Sequence, residues 1–195
     1  SHAFQRGLRG RGEKFTAGSN SFWVWRDEMY RLVNELTVDS MRSWCTLAFK
    51  EMRDAGITTV GEFHYLHHLS NLDYAFDQVV LEAAHEAGIR IVLLQAAYMH
   101  GSIGNPLVKE QSRFDTSSIK EWLYQLDALK NNCLTDLQSI GAVAHSIRAV
   151  DIESISTIAT QAFHRRMPLH LHVEEQRQEI EASLSAYGKT PLALL

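Results

Sequence analysis

Residues 90–99 read RIVLLQAAYM, a nearly uninterrupted apolar run with the length of one β-strand. Such a run is typical of a strand buried on both faces, as in a parallel sheet covered by helices. The predicted strands are 57–66, 90–99, 141–146 and 168–175. Apolar residues at helical spacing predict helices at about 22–36, 39–55, 72–87, 117–137, 151–164 and 176–187. This alternation of helix and strand predicts an α/β fold with a parallel sheet and right-handed crossovers.

The α/β pattern fits either an open doubly wound sheet or part of a (β/α)8 barrel. A Gly-x-Gly-x-x-Gly motif follows none of the predicted strands, which argues against a dinucleotide site. Both architectures place their active sites at the carboxyl ends of the strands. Titratable side chains stand at each predicted strand end and indicate an enzyme: His64 and Tyr65, Tyr98 and His100, His145 and Arg148, and His170, His172, Glu174 and Glu175.

The composition is that of an ordinary globular protein, with 195 residues, 45% of them hydrophobic, and a formal net charge of −4. These values exclude disordered, collagen-like and disulfide-scaffold classes, and the mild acidity argues against a nucleic-acid partner. No apolar run approaches the roughly 20 residues of a membrane span, so no membrane partner is expected. Cys45 and Cys133 lie far apart and are typical of reduced thiols in the cytoplasm. The basic residues near the start are interpreted as a solvated loop: Arg6, Arg9, Arg11 and Lys14.

His170 and His172 lie two residues apart on a predicted strand, so their side chains point to the same face. His172 is nearer the carboxyl end, where a neutral imidazole is a good Zn²⁺ ligand. His170 lies one layer deeper and is interpreted as mainly structural. Glu175 follows the strand, where a carboxylate could carry protons to and from a water and a leaving group. The alternative is a pair of hydrogen-bonded core histidines.

Five blocks of the sequence together resemble a known family: SHAFQRG (1–7), FWVWR (22–26), GEFHYLHH (61–68), AHSIRAV (144–150) and HLHVEEQ (170–176). Their order and spacing are similar to those of the amidohydrolase superfamily, and within it most closely to the formimidoylglutamate deiminases. The resemblance implies an incomplete (β/α)8 TIM-type barrel over residues 1–195, from the exit of barrel strand one through helix five.

The resemblance also implies a role for each matching residue. His2 and His172 would bind Zn²⁺ or another divalent metal, and Glu175 would be the catalytic acid and base. The residues that would bind the substrate are Gln5, Arg26, Tyr65, His145 and Arg148. The implied reaction, part of histidine degradation, converts N-formimidoyl-L-glutamate and water into N-formyl-L-glutamate and ammonia.

The two arginines support this reaction on physical grounds, because the substrate carries two carboxylates and guanidinium groups bind carboxylates bidentately. The resemblance further implies a homodimer in the cytoplasm. Two alternatives stay open: another deaminase or chlorohydrolase of the superfamily that acts on a heterocycle, and a metal-free α/β binding protein. The chain starts without Met, and we expect a fragment that lacks the remaining metal ligands. By itself we expect it to be poorly folded and inactive, because an unclosed barrel leaves open strand edges.

Overall fold

The computed structural model describes the backbone of residues 1–11 and 21–195, with side chains described for 1–11 and 24–195. The strands are β1 (Thr59–His64), β2 (Arg90–Ala97), β3 (Gln138–Ala144) and β4 (Leu169–Leu171). The α-helices are α1 (Ser21–Glu35), α2 (Val38–Asp54), α3 (Ala75–Ala87), α4 (Ile119–Asn131), α5 (Ile152–Arg165), α6 (Arg177–Tyr187) and α7 (Pro191–Leu194). Two 3₁₀ helices span Ala3–Leu8 and Lys109–Phe114.

The four strands form one parallel sheet in the order β1-β2-β3-β4, which is also their order along the chain. A doubly wound sheet would reverse its strand order at a switch point. The described strands show no such reversal, so they correspond to consecutive strands of a (β/α)8 barrel, as predicted. The carboxyl ends of all four strands meet at one edge, where the predicted site residues lie.

The start of the chain lies beside β1, on the side away from β2. The Phe63 amide donates to the carbonyl oxygen of Ser1 over 2.8 Å, and His2 Nδ1 donates to the Phe63 carbonyl over 2.9 Å. These contacts are those of a neighbouring parallel chain segment. They bring His2 to the same edge of the sheet as the strand ends.

Several element boundaries differ from the prediction by a few residues, and the largest differences are in α4, β4 and the loop after β2. Helix α4 ends at Asn131 rather than near 137. The side chain of Gln138 holds the segment after the helix in a non-helical conformation, because its Oε1 accepts from the Leu134 amide and its Nε2 donates to the Leu81 carbonyl. Strand β4, predicted over 168–175, is only three residues long and pairs with β3. The long loop after β2 contains a 3₁₀ helix that buries Phe114.

The basic residues near the start pair with acids rather than forming a free patch. Arg6 and Arg9 both face Glu51, and Arg6 Nε lies 2.6 Å from its carboxylate. Arg11 pairs with Glu35 over 3.3 Å, while Lys14 lies outside the described residues. Within the described ranges, no helix has the length and hydropathy needed to cross a membrane.

A buried polar network supports the loop that follows β1. The Asp77 carboxylate accepts from His64 Nε2 (2.8 Å), His67 Nδ1 (2.9 Å) and Gln95 Nε2 (2.9 Å). Burial alone would raise the pKa of the Asp77 carboxyl, but the charges and hydrogen bonds of the two histidines hold that pKa well below its usual value. Since Tyr65 lies between these histidines in sequence, the network fixes its position.

We expect Asp77→Asn to lower the free energy of unfolding by about 3 kcal/mol, because an amide would turn a donor toward buried donors and remove the anion that they share. Urea unfolding of the protein measures the change. Asp136→Asn, at an exposed position in the turn before β3, is the control and should change the free energy by less than about 0.5 kcal/mol. Equal effects of both substitutions would contradict a stabilising role for the network.

Candidate active site

A cavity of about 640 Å³, including its opening to solvent, lies at the carboxyl ends of the strands. All eight predicted site residues line it: His2, Gln5, Arg26, Tyr65, His145, Arg148, His172 and Glu175. They come from five separate segments of the chain, and the parallel sheet brings them together. Their individual roles stay predictions.

His2 and His172 lie close together although 170 positions separate them. Their ring centroids are 5.5 Å apart, and the His172 ring stacks on Phe63 at 4.0 Å. Burial, together with the nearby His172, lowers the pKa of His2 to about 4, against the opposing effect of its hydrogen bond to the Phe63 carbonyl. Burial also lowers the pKa of His172. Both imidazoles are therefore neutral near pH 7, the form that binds metals.

The two imidazoles fit a divalent metal ion. His2 donates from Nδ1 to a backbone carbonyl, which fixes the tautomer and leaves the Nε2 lone pair for a metal. His172 Nδ1 is buried, and it has no hydrogen-bond partner in the described part of the chain. A buried polar atom without a partner is unfavourable, and a metal ion would satisfy it. These two residues could therefore hold a divalent metal.

A second histidine cluster lies deeper, under the loop after β1. His64, His67 and Asp77 offer possible metal-ligand atoms within 4.8 Å of one another. They are the one group of three with this spacing among the described residues. Their facing atoms are already hydrogen-bonded to one another, and His67 Nε2 also bonds to the Ala96 carbonyl. We therefore interpret this cluster as support for the loop rather than as a metal site.

Of the two adjacent glutamates after β4, only Glu175 reaches the cavity. Its Oε2 accepts from Arg148 Nη2 over 2.5 Å. Glu174 has a left-handed backbone conformation (φ 54°), and its Oε1 accepts from the Leu192 amide at the start of α7. The turn at Glu174 thus directs the two carboxylates to opposite sides. His170, expected in the interior, is exposed because β4 is an edge strand.

The polar groups around the histidine pair are held in neutral forms. Burial lowers the pKa of His145 well below its usual value, and the neighbouring His172, Arg148 and His2 lower it further. Gln5 Nε2 donates to Tyr65 Oη over 3.1 Å. Burial raises the pKa of the Tyr65 phenol. Neutral imidazole and phenol groups next to charged Arg148 can bind a polar substrate without adding charge.

Helix α1 and the loop after β2 supply the remaining wall of the cavity. The Arg26 guanidinium lies 5.3 Å from the Tyr30 ring centroid. Gln111 Nε2 donates to Tyr98 Oη over 3.0 Å. Sequence reasoning did not assign part of this wall to the site: Trp25, Met29, Tyr30, Tyr98, Gln111 and Phe114. Of these residues, Tyr98 carried a signal, because it stands at a predicted strand end.

Comparison with known proteins gives the same picture. The family model described as "Amidohydrolase family" matches residues 1–194. A formimidoylglutamate deiminase from Pseudomonas aeruginosa is 34% identical over 200 residues, covering 100% of this chain and 44% of that protein. A 5-methylthioadenosine/S-adenosylhomocysteine deaminase from Syntrophobacter fumaroxidans is 28% identical, covering 83% of this chain and 32% of that protein. The chain thus spans less than half of these curated relatives.

Solved structures confirm the fold. An amidohydrolase from Brucella melitensis superposes with a TM-score of 0.78 at 32% identity, covering 99% of this chain and 44% of that chain. An atrazine chlorohydrolase from Arthrobacter aurescens, complexed with zinc, superposes with a TM-score of 0.83 at 19% identity, covering 100% of this chain and 44% of that chain. The second likeness supports the fold alone. The family resemblance predicted from the five sequence blocks is confirmed.

We expect His172→Ala to reduce the bound divalent metal by about tenfold or more, because it removes a buried ligand atom that no other side chain satisfies. Metal analysis of the protein after equilibration with limiting Zn²⁺ measures this. His170→Ala, on the same strand but exposed, is the matched control and should keep the wild-type metal content. Wild-type protein that binds no metal would instead favour the metal-free binding protein.

Proposed function

Because the chain belongs to the amidohydrolase family, we propose that the full-length protein that contains it hydrolyses N-formimidoyl-L-glutamate to N-formyl-L-glutamate and ammonia. The observation that carries this proposal is the presence of two arginines, Arg26 and Arg148, in the wall of the cavity that holds His2 and His172. We also keep as proposals that the protein acts in the cytoplasm and as a homodimer.

The arginines account for the substrate class. N-formimidoyl-L-glutamate carries two carboxylates, and a planar guanidinium binds a carboxylate through two parallel hydrogen bonds. Arg148 comes from the loop after β3 and Arg26 from α1, so they reach the cavity from different walls. Two cations on separate walls suit a ligand with two anionic groups a few bonds apart. Fixing both ends of the substrate orients its formimidoyl carbon toward the histidine pair.

The residues around the histidine pair account for the bond cleavage. A divalent metal held by His2 and His172 would lower the pKa of water to about 7 and so supply the nucleophile. Glu175 lies beside this place and would carry a proton to the departing nitrogen, which then leaves as ammonia. His145 and the Tyr65–Gln5 pair would hydrogen-bond the formimidoyl group and hold it in place.

A second candidate is a deaminase that acts on a heterocycle. The observation in its favour is the aromatic lining of the cavity, since Trp25, Tyr30, Tyr98 and Phe114 offer faces on which a ring could stack. Such a substrate would not require two arginines. The charged wall therefore favours the dicarboxylate.

A substrate panel tests the proposal directly. We expect release of ammonia from N-formimidoyl-L-glutamate with a kcat/KM about 100-fold or more above that for adenosine, guanine or a chlorinated triazine, because each buried arginine–carboxylate pair contributes several kcal/mol. With the protein loaded with Zn²⁺, ammonia release measures the rates for formimidoylglutamate, adenosine and guanine, and chloride release measures the rate for the triazine. The formimidoyl derivative of 4-aminobutyrate, which lacks the α-carboxylate, should react with a strongly raised KM. Preference for a heterocycle would overturn the proposal.

We expect Glu175→Gln to lower kcat by about 100-fold or more, because an amide cannot carry the proton to the leaving nitrogen. The variant should keep its metal. Its KM should not rise, since loss of the Glu175 charge leaves Arg148 free for the substrate. Glu174→Gln is the matched control: the neighbouring carboxylate faces α7, and its substitution should leave kcat within about twofold. Glu175→Gln with a near-normal kcat would contradict the assigned role.

A further inference from the structure

Glu179 is a buried acid beside the cavity that neither the sequence analysis nor the proposed reaction uses. It lies in the first turn of α6, and its side chain is 0% exposed. Its Oε2 accepts from the Glu175 amide over 3.0 Å and lies 3.8 Å from Arg148 Nε. The same carboxylate thus faces the backbone of the proposed proton carrier and the proposed substrate-binding arginine.

Two atoms at this place are buried and have no hydrogen-bond partner in the described part of the chain: Glu179 Oε1 and Arg148 Nε. Leaving a buried charged group without partners is unfavourable by several kcal/mol. The 3.8 Å between Arg148 Nε and Glu179 Oε2 is within ion-pair range but longer than a hydrogen bond. A small movement of the guanidinium toward Glu179 would close this contact.

Helix capping explains only part of this arrangement. Glu179 is the third residue of α6, and an acid there commonly accepts a backbone N–H near the start of its own helix. That role accounts for Oε2. It does not account for the full burial of the carboxylate or for its approach to a cation from β3.

Arg148 stands between two carboxylates. Its Nη2 lies 2.5 Å from Glu175, and its Nε faces Glu179. A substrate carboxylate must compete with Glu175 for this guanidinium. While Nε is held by Glu179, the guanidinium can release Glu175 and still direct its other nitrogens into the cavity. With Glu179 uncharged, Arg148 would turn both donors onto Glu175 and leave the cavity.

We propose that Glu179 is a positioning residue that holds Arg148 when a substrate carboxylate draws it away from Glu175. This inference rests on the proposed function, because it assigns Arg148 to a carboxylate of the substrate. Binding of the anionic substrate and release of Glu175 for proton transfer are then one event. In the structure Glu175 is paired with Arg148, and with the substrate bound Glu175 would be free and Arg148 shared by Glu179 and the ligand.

A double-mutant cycle on ligand binding tests the inference. Calorimetric titration of the protein with N-formyl-L-glutamate gives the dissociation constant without turnover. We expect Glu179→Gln to weaken binding about fivefold or more, although glutamine can still accept from the Glu175 amide. In the Arg148→Met background, the same substitution should weaken binding less than about twofold, because the guanidinium that it positions is gone. The kcat of Glu179→Gln should fall as well, since Glu175 stays paired.

Two further variants separate positioning from folding. Glu179→Asp keeps the charge and should restore binding to within about threefold of the wild type. Glu181→Gln, at an exposed acid of the same helix that pairs with Arg177, should bind as the wild type does. Equal losses in the wild-type and Arg148→Met backgrounds would reduce Glu179 to a helix cap and overturn the inference, as would unchanged or tighter binding. Wild-type protein that does not bind N-formyl-L-glutamate at all would overturn the proposed function as well.

Discussion

Phe63 fixes the relative position of the two histidines on which the rest of the site depends. Its amide and carbonyl bind the start of the chain, and the carbonyl fixes the ring of His2 through Nδ1. Its side chain stacks on His172, which the short β4 brings to the same edge of the sheet. One residue of β1 therefore sets both proposed metal ligands. Because the backbone makes two of these contacts, they depend on the register of the sheet more than on the neighbouring side chains.

Around this pair, the site separates neutral from charged groups. Burial lowers the pKa of His2, His145 and His172. The nearby His172 adds to this effect on His2, and both His172 and His2 add to it on His145. Histidines packed this closely cannot all be charged. Arg148, which meets two carboxylates, lies to one side of them. A cation at the histidines and an anion at Arg148 would therefore be bound in different parts of one cavity.

Much of this site could be predicted from the sequence, because it depends on regular features. Period-two alternation places His172 on the interior face, and strand ends mark Tyr65 and His145. The matching blocks add Gln5 and Arg26, which spacing alone would not identify. The aromatic wall could not be predicted, since Tyr30 comes from α1 and Phe114 from a 3₁₀ helix inside a loop. Tertiary contacts decide their place at the cavity, and no periodic pattern in the sequence signals such contacts. The pairing of Arg148 with both Glu175 and Glu179 likewise depends on the turn at Glu174, which a non-glycine residue makes at positive φ.

One side chain in the loop after β2 helps to hold α1, and so Arg26, in place. The Arg113 guanidinium donates to the carbonyls of Val33 and Leu36, where α1 ends, and to those of His68 and Leu69 in the loop after β1. The last carbonyls of a helix have no partner within it, and a cation there also offsets the helix dipole. Arg113 therefore ties α1 and two loops together through backbone atoms. Arg113 binds backbone carbonyls, so the side chains of α1 that line the cavity take no part in this attachment. Those side chains could therefore differ between related enzymes while the helix keeps its place over the cavity.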